Sequence, residues 1–227
     1  DYYVLDDDWF ILFEDVGRMK VERDKNKITA CVYYENVLGS IDELENLLHP
    51  LFELFRQNGL YPYHSAGLSK DGYGLLMPGQ SGNGKTTLSM ELINNGFSFL
   101  SDDWCFLSRS EGKYMLTGFL EDVNIYTENV KHIKKLKHIK SSDKNIKVPV
   151  NIKKIFPESI IRETELKCIL FPVWEKERCS SIETICAHDA VTSIMPLTMI
   201  CFDKKTVERH FDFNCEIVKD LHTGKIV

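Results

Sequence analysis

The spacing of apolar positions changes character several times along the chain. From Trp9 to Tyr34, WFILFEDVGRMKVERDKNKITACVYY has short apolar runs broken by the polar turn RDKNK, which predicts an antiparallel β meander. The period then lengthens. In SIDELENLLHPLFELFRQNG, Leu44, Leu47, Leu48, Leu51 and Leu54 keep one face apolar, predicting a helix. Ser40 and Glu43 form its capping box, Pro50 should kink it and Gly59 should end it. GYGLLMPG (72–79) reads as a short strand running into a glycine loop, and KTTLSMELINN (85–95) as a helix stopped by Gly96. FSFLSDDWCFLSR (97–109) is a second β-rich run, interrupted by Asp102 and Asp103. Further on, YMLTGF and KCILFPVW read as strands, and NVKHIKKLKHI as a helix with Val130, Ile133 and Leu136 on one face. SSDKNIKVP reads as a loop.

This order of elements predicts an α/β protein: a mixed central sheet flanked by helices, with the N-terminal β-rich segment packed on it. At 227 residues a single domain is expected, 1–60 being the meander plus helix and 61–227 the core. Composition adds little, since 43% hydrophobic and 27% charged residues are ordinary for a globular chain. Charge adds more. The net −6 gives no reason to expect nucleic acid or an anionic membrane as partner, yet nine lysines and one acid lie between Lys131 and Lys154. The seven cysteines form no C-x-x-C pair, so reduced thiols and a cytoplasmic setting are expected. No apolar run is long enough to span a bilayer and no signal peptide is visible, although the start at Asp1 and the close in mid-pattern read as trimmed ends.

The chemistry concentrates after residue 78. Gly79-Gln80-Ser81-Gly82-Asn83-Gly84-Lys85-Thr86 matches G-x-x-x-x-G-K-[ST] at every fixed position, and Thr87 follows it. Glycines let the backbone close around phosphate oxygens, and the helix starting near Lys85 adds its positive N-terminal end. In such a loop Lys85 faces the β- and γ-phosphates, and the Thr86 hydroxyl takes magnesium. A strand before it and a helix after it are the context this motif needs, so nucleotide binding is the firm expectation.

Asp102 and Asp103 stand 17 and 18 residues beyond Lys85, where a strand starting after Gly96 and parallel to the first would deliver them beside the loop. Two adjacent carboxylates suit two roles, one holding the magnesium shell and the other accepting a proton from an attacking hydroxyl. The plainer reading is a turn cap or an ordinary metal aspartate. His64, 21 residues before Lys85, sits just ahead of the expected hairpin and by itself reads as structural.

Together, His64, the Gly79–Thr86 loop and the Asp102-Asp103 pair resemble the HPr kinase/phosphorylase family, whose fold is shared with ATP-dependent phosphoenolpyruvate carboxykinase. The resemblance is strong over His64 to Leu107 and holds elsewhere only in outline. It implies ATP and Mg²⁺ as cofactors, Asp103 as general base, Asp102 assisting magnesium, Lys85 bridging the transferring phosphate and His64 lining the site. Where the HPr-specific members have LEIRGLG with a metal-binding glutamate, this chain has YMLTGFLEDVNIYTENV, and Glu121 and Glu128 are the candidates for that ligand. Without the Arg-Gly pair, neither phosphorolysis nor HPr as substrate is implied. The layout is more similar to HPr-kinase-like proteins of peptide-modification pathways, some of which phosphorylate a serine on a precursor such as a lasso peptide. The family also forms oligomers, with no interface legible in this chain.

The expectation is a magnesium- and ATP-dependent kinase acting on a serine-type hydroxyl of a peptide or small protein. A kinase of free serine or another small molecule, a non-catalytic ATP-sensing module and a carboxykinase-like lyase are the alternatives. The lysine cluster reads first as a solvated face and second as a basic element that guides an acidic peptide or closes over the triphosphate.

Overall fold

The computed structural model describes residues 2–6, 8–13, 17–33, 41–119, 122–127, 146–173, 180–198 and 203–227, with the backbone alone over 41–47. The chain divides into two compact units, Asp1–Leu60 with Ile200–Val207, and Tyr61–Met199 with Glu208–Val227.

In the first unit the meander is four antiparallel strands in sequential order: β1 (Tyr2–Leu5), β2 (Asp8–Phe13), β3 (Gly17–Glu22) and β4 (Lys27–Val32). RDKNK makes the β3–β4 connection as predicted, a 3₁₀ turn closed by Asn26 in the left-handed region. Helix α1 (Ile41–Gln57) follows the expected span and continues through Pro50. Trp9, Ile11, Met19, Val21 and Leu54 form this unit's core. Within α1 the buried Arg56 donates to Glu53 at 2.9 Å, one turn away.

The second unit is built on a mixed sheet. Strands β5 (Tyr61–Lys70) and β6 (Tyr73–Pro78) form a hairpin, and helix α2 (Lys85–Asn94) leads to β7 (Ser98–Ser101), β8 (Trp104–Ser110) and β9 (Lys113–Phe119). Strands β10 (Val123–Tyr126) and β11 (Lys147–Val150) pair antiparallel as a separate ribbon. A short helix α3 (Ile152–Ile155) precedes β12 (Glu163–Pro172), β13 (Ile182–Thr184), α4 (Ala187–Ile194), α5 (Lys204–Asp220) and β14 (His222–Ile226). The order is β13-β14-β12-β6-β5-β8-β9, with β7 also on β5. Because β9 pairs with β12 as well, the strands β12-β6-β5-β8-β9 close on themselves. β6 and β14 run parallel to β12, whereas β5 runs antiparallel to β6, β7 and β8.

One apolar cluster joins the sheet to α4 and α5 through Leu76, Leu116, Ile169, Ile194 and Ile217. The second joins it to α2 and the β10–β11 ribbon through Leu68, Met77, Met90, Phe99 and Ile125. Burial on both sides explains why the strands read as near-continuous apolar runs rather than alternating ones.

Two expectations need correction. His64 does not precede the hairpin but lies within its first strand, opposite Trp104. Lys147-Val148-Pro149, expected as loop, is the body of β11, because Val148 and Val150 pack against α2's apolar side. The predicted helix at 129–139 lies outside the described residues. Strand β7 is parallel to β6 as expected, but β5 stands between them.

Cys105 shows how tightly the closed sheet is packed. It is fully buried, donates to the Ser65 carbonyl at 3.5 Å, and burial pushes its thiol up to about 12. Cys31 and Cys186 are exposed. Iodoacetamide labelling of the native protein should modify those two at least about a hundredfold faster than Cys105, since only a thiolate with access reacts. Peptide mapping showing equal rates would contradict the packing of β8.

Candidate active site

A cavity of about 720 Å³ lies in the second unit, where Asp102, Val173 and Val227 follow the carboxyl ends of β7, β12 and β14. This is the end at which open α/β sheets bind ligands. The loop after β6 lines it with Ser81, Gly82, Asn83, Gly84, Lys85 and Thr86. Gly82 (φ +93°) and Gly84 (φ +82°) adopt backbone conformations that L side chains rarely take, which is why the motif needs glycine there. The turn closes as the Asn83 N–H donates to the Gln80 carbonyl at 3.2 Å, and α2 begins at Lys85.

Lys85 is buried. Its Nζ donates to the carbonyls of Gly79 at 2.6 Å and Gln80 at 3.2 Å, and lies 3.5 Å from His64 Nε2. Burial lowers its pKa, the nearby Asp102 and Asp103 partly opposing that effect. A desolvated ammonium facing a cavity is stabilised by an incoming anion.

β5 brings the two halves of the site together. On one side the Gly79 N–H donates to the His64 carbonyl at 3.4 Å, and on the other the Ser65 N–H donates to the Asp103 carbonyl at 2.9 Å. His64 Nε2 lies 2.9 Å from Asp103 Oδ1, and its ring packs tilted on Trp104 with centroids 5.6 Å apart. The contact with His64 holds the Asp103 carboxyl below the usual carboxylate range, although its side chain is 52% exposed. Asp103 is therefore ionised at neutral pH and accessible from the cavity.

Asp102 is placed oppositely. Thr86 Oγ1 donates to its Oδ2 at 2.5 Å, while Oδ1 is buried and accepts no hydrogen bond. The Ser89 hydroxyl is near enough to favour the ionised form, but its geometry falls short of a hydrogen bond. Burial outweighs both and pushes the pKa up to about 6. A half-buried carboxylate with one unpartnered oxygen, next to a hydroxyl, is an all-oxygen donor set suited to a hard cation. Among the described residues no group of three or more His, Cys, Asp or Glu gathers around a metal position. Thr86 and Asp102 are the residues whose oxygens could hold magnesium, an ion that keeps water and phosphate in its shell.

Every described residue singled out from the sequence, apart from Gly79 and Gln80, lines this cavity: His64, Ser81, Gly82, Asn83, Gly84, Lys85, Thr86, Thr87, Asp102 and Asp103. Gly79 and Gln80 contribute through their carbonyls to Lys85. Glu121 and Glu128 lie outside the described residues. Asp122 and, from the β10–β11 ribbon, Asn124, Tyr126 and Lys147 also line it; sequence reasoning missed the first three, whereas Lys147 belongs to the lysine cluster whose second reading was a basic element closing over the triphosphate. Only the strand-like alternation of VNIY and KVPV could have pointed to the ribbon.

No protein-family model and no curated protein matches the chain. Among solved structures it is similar to the Hpr(Ser) kinase/phosphatase from Coxiella burnetii, at 18% identity over 55% of this chain and 72% of that one, with a TM-score of 0.36. Among the described residues no helix is long and apolar enough to cross a membrane.

Proposed function

We propose that this chain is a magnesium- and ATP-dependent kinase that phosphorylates a serine-type hydroxyl on a peptide or small protein. The observation that carries the reading is the Asp103 carboxylate, ionised and half exposed, in the same cavity as the phosphate loop and Lys85. Bound magnesium-ATP supplies the phosphoryl group and the cation that neutralises its charge. Asp103 accepts the proton of the acceptor hydroxyl at a carboxylate oxygen, which its low pKa leaves free to do so. His64 orients that carboxylate through the 2.9 Å contact. Lys85, whose burial disfavours an isolated cation, places its charge against the phosphates, and Thr86 and Asp102 hold the metal.

Access favours a peptide or protein acceptor, because Asp103 is at the surface rather than in a closed chamber. The test is intact-mass analysis of serine-containing peptides, small proteins and free serine incubated with magnesium-ATP. One added phosphate on an acceptor, abolished by EDTA, is the expected result. Tight ATP binding with no transfer to any member of the panel would overturn the kinase reading in favour of an ATP-sensing module.

A further inference from the structure

Lys147 belongs to the lysine cluster that the kinase chemistry leaves unused. It opens β11 and lines the same cavity as Lys85, Thr86 and Asp103. Its direct cross-strand partner in the ribbon is Tyr126, and Lys147 Nζ lies 5.4 Å from the centroid of that ring. Tyr126 itself lines the cavity, so the ring holds the Lys147 ammonium along the wall, and among the described residues that ammonium makes no salt bridge to a carboxylate.

Lys147 and Lys85 line the cavity from different elements, β11 and the loop after β6. Two ammonium groups lining one cavity favour an anionic ligand between them.

We infer that Lys147 is a second phosphate-binding cation, reaching the terminal phosphate of the nucleoside triphosphate from the β10–β11 ribbon while Lys85 reaches it from the loop. This deepens the kinase reading and rests on it. The ribbon thereby closes the nucleotide site with a residue distant in sequence from the loop. The competing explanation is a solvated lysine packed on a tyrosine, and a third is a contact to an acidic acceptor peptide.

Isothermal titration with ATP, ADP and AMP in magnesium, on the wild-type protein and on Lys147→Gln and Lys147→Arg, separates these. A charge-assisted contact to the terminal phosphate predicts that Lys147→Gln weakens ATP binding by about tenfold or more, leaves AMP within about twofold, and is largely rescued by arginine. The melting temperature should not move, because Lys147 is exposed. Equal affinities of the wild type and Lys147→Gln for ATP would overturn the inference while leaving the kinase reading intact, as would a raised KM for the acceptor peptide with ATP binding unchanged. Failure of the wild type itself to bind any of the three nucleotides would overturn the kinase reading and this inference together.

Discussion

Replacing Asp103 by asparagine is expected to lower phosphoryl transfer by about a thousandfold, while ATP affinity stays within about threefold of wild type. The side chain keeps its shape and can still accept from His64, so positioning survives and only the basic oxygen is lost. Losing a general base is worth roughly 10² to 10⁴ in rate. Asp103 is ionised, and its backbone is tied to β5 by the Ser65 N–H. The measurement is kcat and the ATP dissociation constant for both proteins with the same acceptor. Intact transfer would remove Asp103 from the role of base. A large loss of magnesium-ATP affinity with kcat preserved would instead make it a metal ligand. Asp102→Asn should show that second pattern, since Asp102 accepts the hydrogen bond of Thr86.

The second large effect is on stability. Gly118 in β9 lies against the backbone of β7, so that a Cβ added there would be 2.2 Å from the Leu100 carbonyl oxygen and 2.5 Å from its carbonyl carbon. Nothing in that contact is the flexible end of a side chain. Gly118 is also held by its N–H donating to the Arg162 carbonyl at 3.1 Å, and next to it the Phe119 carbonyl accepts from Ser101 Oγ at 2.7 Å. The strands cannot separate without breaking these bonds. Gly118→Ala is therefore expected to destabilise the protein by about 3 kcal/mol, lowering Tm by roughly 10 °C. Because Leu100 lies two residues before Asp102, the same change should weaken magnesium-dependent ATP binding even at temperatures where the protein is folded. Calorimetric melting checks the first part and titration with ATP the second. A melting temperature within about 2 °C of wild type would show that β7 and β9 do not approach this closely.

Much of this molecule is local and was legible in its residues. The meander, the helix at 41–57 and the run from strand through glycine loop to helix depend on turn chemistry and periodicity within a few residues of each other; the capping box at Ser40 and Glu43 lies outside the described side chains. The glycine loop is the clearest case, because Gly82 and Gly84 take conformations that depend on their own lack of a side chain. The placement of His64 was not legible. YPYHSAGLSK carries proline, glycine and serine, which read as strand-breaking, yet pairing on both sides makes all ten residues one strand. Propensity yields there to tertiary burial.

The sequence by itself determined that Gly79–Thr86 carries the phosphate-loop pattern, and that His64, Lys85 and the Asp102-Asp103 pair are spaced as in the family the chain resembles. Only the tertiary structure decided that the two adjacent aspartates differ, one buried against Thr86 with its pKa raised to about 6 and the other exposed against His64 with its pKa lowered. Burial and charge partners set a pKa, and both come from strands that meet across long stretches of chain. For the same reason only the structure placed Lys147 and Tyr126 in the cavity wall. Their pairing is a cross-strand contact whose partner no local pattern names.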